Sequence, residues 1–363
     1  MSVYKKLMIA ISVCLVGGVF GCGPVDGNNV AGVSITEDVT SDMTLSGTNI
    51  IENRVSIKAQ LTIEECSTIQ VASGVIVDVD DGGSIVANGT EDCPVTFTSA
   101  KAGASAGDWN RLDIWDSSSN NNSFTHTVFE YGGGGDTEWG MMWVQSGANV
   151  SMSNVTFRDS EGRAAHFETG ANIDGFSNVT VENLGREAFI IGPNEVGSLE
   201  SLTANGEVPA IEIRGGALTD DQTWKALDIP YIVASRTGIE GALQIEPGTV
   251  VQVGPGVIID VDNGGTIQAS GTSEAPVTFT SSKASPASGD WGRFDIWESS
   301  GNANEFTYTT IEYGGSDPTY GAMWVDAGAN VSLDNVTFSN NDGCDIDDNG
   351  TVNANATDYT ACQ

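Results

Sequence analysis

Two triplets of side chains set an arginine, a carboxylate and an indole on alternate positions of an apolar stretch. They are Arg111, Asp113 and Trp115, and then Arg293, Asp295 and Trp297. If Leu112 and Ile114 face a core, the triplet faces solvent, because successive strand residues point to opposite sides. Glu130 and Trp143 follow the first triplet, and Glu312 and Trp324 follow the second. The sequence therefore predicts an outward stripe of tryptophans beside acids. A flat ring stacks on a sugar while carboxylates accept its hydroxyl protons, so Trp115, Trp143, Asp113, Trp297, Trp324 and Asp295 are candidate carbohydrate-binding residues. The plainer reading is that the repeated tryptophan-bearing segments, "GDW" among them, are framework.

Catalysis is the second chemistry to weigh. On adjacent strands, Asp113 and Glu130 would form a carboxylate pair of the kind that cleaves glycosides, with Arg111 beside them. Two features oppose it. The pair recurs as Asp295 and Glu312, and one rod rarely needs two identical catalytic centres. Neither histidine looks like a required base, since His126 becomes Tyr308 in the second copy and His166 has no counterpart. No catalytic residue is therefore assigned. No cofactor is required either, but calcium is a candidate: Asp345, Asp347, Asn349 and Gly350 follow the opening of a D-x-D-x-N-G loop, while position twelve is Ala356 where a glutamate is expected. The turns holding Asp78, Asp80, Asp260 and Asp262 are weaker candidates for the same ion.

The cysteines divide by position. Lys5 and Lys6 precede an apolar run, Leu7 to Phe20, too short to span a bilayer, and Val19-Phe20-Gly21-Cys22 resembles a bacterial lipobox. Cleavage before Cys22 and lipidation of its sulfur are expected, with Gly23 permitting sorting to an outer membrane. The expected location is the outer membrane or cell surface, with the lipid as the membrane link. Cys66, Cys93, Cys344 and Cys362 remain, an even number in an exported chain, and their spacing suits two disulfides better than zinc. Cys66 and Cys93 align with Gly248 and Ala275 in the second copy, both present or both absent, as a bonded pair requires. Removing the leader takes away two of the 14 basic residues and none of the 49 acidic ones, leaving a net charge of −37. Such a surface repels nucleic acid and anionic lipid. The expected partner is a glycan or a surface protein, and the expected state is monomeric.

What positions these side chains is a tandem duplication. "VDVDDGGSI" at Val77 recurs as "IDVDNGGTI" at Ile259, "PVTFTS" at Pro94 recurs at Pro276, and "GDW" at Gly107 recurs at Gly289, all at a single offset of 182. After a glycine-rich loop the offset becomes 181, as "MWV" at Met142 returns at Met323 and "NVTF" at Asn154 at Asn335. Within the first block, short strands begin at Asn154, Asn178 and Ser201, a period of roughly two dozen positions, and turn residues bound each of them. Val75, Val77 and Val79 form one face and Ile76, Asp78 and Asp80 the other, with Val257, Ile259 and Val261 repeating the inward set. Strand-loop coils of this size bury their inward side chains only when stacked. The N-x-S/T triplets at Asn88, Asn149, Asn154, Asn178, Asn330 and Asn335 read as turn asparagines stacking between coils.

The run Ala242 to Ser281, followed by "GDW", "IEYGG" and "GANVSLDNVTFSNN", resembles the right-handed parallel β-helix repeats of the pectate-lyase-like superfamily, in the version found in bacterial cell-surface lipoproteins. The resemblance covers about Val33 to Asp345. It implies an all-β solenoid of about 13 coils, on the order of 60 Å long at ~4.8 Å per coil. It does not fix function, because the superfamily includes lyases, glycosidases and adhesins. The expected organisation is a signal peptide over 1–21, a lipidated tether over 22–32, a first β-helix block over 33–214, its duplicate over 215–345, and a disulfide-clipped cap over 346–363. The reading is a non-enzymatic lipid-anchored rod for adhesion or carbohydrate contact. A polysaccharide lyase or glycoside hydrolase, and a structural envelope spacer, are the alternatives.

Overall fold

Alternation of apolar and polar residues in runs of three to five, cut by Gly, Asn and Asp, leaves the chain no long helical face and many short strands. The computed structural model, which describes residues 29–206 and 209–363, turns this pattern into a right-handed parallel β-helix. Every pairing between its strands is parallel, and the one helical element among the described residues is a single 3₁₀ turn, Val196–Ser198. Cys22 and the expected signal segment lie outside the described residues. Among those described, no helix is long and apolar enough to cross a membrane.

A regular coil carries three strands. In the first block, face 1 contains Met43–Ser46, Gln60–Glu64 and Ser84–Asn88; face 2 contains Thr48–Ile51, Thr68–Val71 and Val95–Ser99; face 3 contains Val55–Ile57, Ile76–Val79, Arg111–Ile114 and Met142–Val144. Two long strands, Ser123–Glu130 and Asn149–Ser160, run round the corner from face 1 to face 2. They bend at His126 and Asn154, both in the left-handed region at φ 43° and 55°. Tyr308 takes the same corner conformation in the second copy, at φ 41°, so His126 marks a bend. Asn154 and Asn178 are stacked turn asparagines, as expected, joined by a 3.3 Å side-chain hydrogen bond.

Face 3 runs unbroken through both blocks as a 12-stranded sheet, and Val39 bridges Ile57 one coil earlier, giving 13 rungs. Its inward column reads Val55, Val77, Leu112, Met142, Ala165, Phe189, Ile211, Tyr231, Val251, Phe279. All are buried. Each buried aliphatic or aromatic side chain contributes on the order of 1.5–3 kcal/mol, so this column and its counterparts on the other faces hold the rod together. On face 2 the interior rings form a ladder, with Phe97, Phe129 and Phe157 stacked at 4.8 and 5.1 Å.

Two new six-stranded sheets begin at Gly216–Leu218 (face 4) and Gln222–Trp224 (face 5), completing the triangle with face 3 in the second block. The duplication is consequently not a pure translation. Val95–Ser99 lies on face 2, whereas its repeat Val277–Ser281 lies on face 3. Arg111–Ile114 lies on face 3, and its repeat Phe294–Ile296 lies on face 4. The cause is a mismatch of two periods. Seven coils along face 3 carry the chain from Val77 to Val251, whereas the repeat carries it from Val77 to Ile259. The stretch between Val251 and Ile259 is left over, and it moves the copy on to the next face.

Both disulfides form as the cysteine spacing suggests. Cys66 pairs with Cys93 at a Cα separation of 4.5 Å, and Cys344 with Cys362 at 5.1 Å. The C-terminal segment is more than a clipped loop: Ile346–Asp348 and Thr351–Asn355 extend faces 4 and 5 by one coil, and Ala361 bridges Ile346 beyond them. The Ala361 bridge covers part of the face 4 edge that an open last coil would offer to other chains.

Candidate functional site

The GDW segments are framework, as the plainer reading held. Trp109 and Trp291 are fully buried, and their Nε1 atoms donate to the carbonyls of Glu130 and Glu312 at 2.8 and 2.7 Å. Asp108 gathers the loop before it by accepting from Ser99, Ser105 N and Lys101 Nζ, and Asp290 does the same with Ser281, Ala287 N and Lys283. These donors hold both carboxyls well below the usual range, at about 2; for Asp108 burial opposes them.

The outward rows carry the chemistry. On face 3 the row reads Ser56, Asp78, Asp113, Trp143, His166; on face 4 it reads Gly238, Asp260, Asp295, Trp324, Asp347. Position by position these are the same site built twice, seven coils or roughly 34 Å apart along the axis and on different faces. The four tryptophans therefore form two separate pairs and not one continuous stripe. His166 does have a counterpart, Asp347, which the sequence comparison missed because the residue type changes.

Within each copy the first aspartate is a hub. Arg54 grips Asp78 through Nε and Nη2 at 2.7 and 3.0 Å while Trp115 Nε1 donates to the same carboxylate at 2.9 Å. Arg236 and Trp297 repeat this on Asp260 at 2.6, 2.6 and 3.1 Å. The second aspartate is outward in register yet buried, at 1% and 2% exposure for Asp113 and Asp295, because the arginine two residues earlier folds over it. Arg111 and Arg293 donate to Asp113 and Asp295 at 2.6 and 2.5 Å. Burial pushes Asp113 up to about 6 against the pull of Arg111, and raises Asp295 for the same reason. One oxygen of Asp113, Oδ2, is buried without a hydrogen-bond partner.

The tryptophans are not open platforms. Trp143 is buried, and Trp115, Trp297 and Trp324 are half-buried. Trp115 meets Trp143 edge to face at 5.1 Å, and Trp297 meets Trp324 at 4.8 Å. A third aromatic, absent from the sequence-based site, arrives from the loop after the glycines. Trp139 and Tyr320 occupy equivalent places before Gly140 and Gly321, and the aromatic-glycine pair repeating at offset 181 was the signal that could have found them. In the second copy an open groove of about 280 Å³ lies among Arg236, Arg293, Asp295, Trp297, Tyr320 and Trp324.

The catalytic pairing expected for Asp113 and Glu130 is not formed. Asp113 sits on face 3, while Glu130 sits on face 2, where it accepts from Thr98 at 2.7 Å and from Arg158 Nε at 2.8 Å. A segment that follows in sequence lands one face away, because a coil turns about the axis before it returns. Glu312 is placed likewise, accepting from Thr280. In the tail, Asp345 accepts from Asn341 and from Thr360 N, and Asn349 donates to Asp347. These bonds hold the last coil. Among the described residues, no three His, Cys, Asp or Glu side chains gather as metal ligands.

A family model described as pectate-lyase-like beta helix domain matches the chain twice, over residues 31–138 and 216–322. Each match contains one copy of the Asp-Asp row and its arginines. No curated protein and no solved structure matched the chain.

Proposed function

The chain belongs to the pectate-lyase-like β-helix domain family, and from that premise we propose that it is a non-enzymatic, extracytoplasmic rod that contacts neutral carbohydrate through the open aromatic site on face 4. We take Cys22 as its lipid attachment and an envelope surface as its place of work. The single observation carrying the reading is the groove on face 4. Its floor is the Trp297–Trp324 pair, and its rim offers two arginines already neutralised by Asp260 and Asp295. Such a lining has apolar ring surface, directional donors and acceptors, and arginines paired with aspartates, which suits a hydroxylated neutral ring. The strong negative charge of the chain elsewhere disfavours a polyanionic substrate.

The test is a screen of the purified protein against neutral and uronate-containing glycans. Intrinsic tryptophan fluorescence is the readout, with Trp324→Ala and Trp297→Ala as controls. Binding of a neutral glycan that is lost in both variants supports the reading; binding that survives them, or none across the screen, refutes it. One observation favours a second reading: Asp113, pushed up to about 6 by burial and paired in the ladder with Asp78, has the protonation behaviour of a general acid. Release of reducing ends or of unsaturated product in the same screen, abolished by Asp113→Asn, would replace binding with hydrolysis or elimination.

A further inference from the structure

The two copies of the site differ in one respect that the duplication makes interpretable. On face 3, the ring of Trp139 lies flat on His166 at 4.9 Å and 13° and meets Trp143 at 5.1 Å. Beneath it, His166 is fully buried and neither of its ring nitrogens has a hydrogen-bond partner. Asp113 Oδ2 is unpartnered on the other side of Trp143. Unpaired buried polar groups each cost on the order of 1–3 kcal/mol, and two of them flanking one indole call for an explanation. On face 4, Asp347 replaces His166, so Tyr320 has no ring to lie on. It closes on Arg293 at 4.4 Å, where the matching Arg111–Trp139 separation is 5.9 Å, stands 6.3 Å from Trp324, and leaves the groove open.

We infer that the face 3 copy is a second ring-binding site, closed in this structure by the chain's own Trp139 standing where a sugar ring would stack. This inference rests on the carbohydrate reading above for the class of ligand, but not for the existence of the closed site. The floor is Trp143. His166 supplies one donor and one acceptor on one side of Trp143 and Asp113 Oδ2 an acceptor on the other, unpaired groups that hydroxyls at opposite ends of a sugar would satisfy. Charge argues for a neutral ligand, since Arg163 and Arg214 act on His166 from one side while Glu138, Glu187 and Glu212 surround Arg163. The covering segment is short. Asp136 caps its turn by accepting from Glu138 N and from Trp139 Nε1, and Gly135 and Gly140, at φ 77° and 71°, bracket it. Trp139 is half-buried on a loop outside the sheets, so its replacement leaves the coils intact.

The experiment compares the full-length protein with Trp139→Gly and Trp139→Phe. His166 is one of only two histidines, so its C2 proton is readily assigned by NMR. Burial beneath the indole, with help from Arg214 and Arg163, holds it down at about 3, and it should not titrate between pH 5 and 8 in the unaltered protein. In Trp139→Gly the lost burial should bring its titration back up into that window, and added indole should occupy the vacated place at one per chain and silence the titration again. Trp139→Phe keeps a stacking ring and should stay silent. With neutral hexasaccharides of β-1,4-glucan, β-1,4-xylan and α-1,4-glucan as probes, stoichiometry should rise from one to two per chain in Trp139→Gly. A folded Trp139→Gly whose His166 stays silent, or which takes up no indole, overturns the closed site. Indole uptake with sugar stoichiometry held at one overturns the ligand class assigned to it. If no hexasaccharide binds any of the three proteins, the carbohydrate reading falls for both sites, and the indole and titration results alone decide whether a closed site exists.

Discussion

Gly248 and Ala275 stand where Cys66 and Cys93 stand in the first copy, and the backbone there has kept the shape of a disulfide-bonded pair. The Cys66 N to Cys93 O hydrogen bond of 3.1 Å is matched by one of 3.0 Å from Gly248 N to Ala275 O. A Cβ built on Gly248 would lie 3.6 Å from that of Ala275, inside the ~3.5–4.5 Å range of bonded cysteines. The double variant Gly248→Cys/Ala275→Cys should therefore close spontaneously. Its loop equals the native one, a sequence separation of 27, for which chain-entropy reasoning gives about 3.5 kcal/mol. Gly248 has φ +84°, a left-handed conformation that costs a side-chain-bearing residue about 1 kcal/mol; native Cys66 accepts the same region at φ 60°. The net gain should be about 2.5 kcal/mol when oxidised, and Gly248→Cys alone should lose about 1 kcal/mol. Thiol titration reports closure, and urea unfolding of oxidised against reduced protein reports the energy. Free thiols persisting in the folded, oxidised variant would show that the second block's coils are not in the register described. Closure without stabilisation would refute the loop-entropy argument.

Other outcomes can be checked in parallel. Trp291→Ala should cost about 3–5 kcal/mol through the cavity it leaves and the lost bond to Glu312, whereas Trp291→Phe should cost less, as denaturant midpoints will show. Asp108 and Asp290 titrate below their unfolded values, so their stabilisation is complete above about pH 4 and lost as pH falls towards 2. Lys101→Met/Lys283→Met should flatten the melting temperature against pH over that window. Asp113 titrates above its unfolded value, so its contribution is complete below about pH 4 and is lost as pH rises through 6, a change of about 3 kcal/mol that Asp113→Asn should remove from the stability profile. Replacing Cys344 and Cys362 by Ala should loosen the last coil by about 3 kcal/mol, visible as faster hydrogen exchange over Ile346–Asp348 and Thr351–Asn355 and little change elsewhere.

Local chemistry by itself determined a good deal. Inward columns such as Val75, Val77 and Val79 follow from a side-chain period of two, which any strand imposes regardless of its neighbours. The paired presence and absence of cysteines at aligned positions marked the first disulfide, and the GDW segment was legible as framework from its resemblance to framework positions of β-helix repeats. The duplication itself, and hence a twofold recurrence of any site, needed only the sequence. Which face each copy occupies did not follow, because phase around the rod is the running sum of all coil lengths. Those lengths are uneven: the coil from Val77 to Leu112 is far longer than the one from Ile211 to Tyr231, since a loop interrupts the first and not the second. An error of a few residues anywhere moves every later side chain to another face, so Asp113 and Glu130 could be placed together on paper yet stand on different sheets. The burial of outward Asp113 and the closure of Trp139 over His166 likewise depend on partners from other coils, and no pattern local to either residue encodes them.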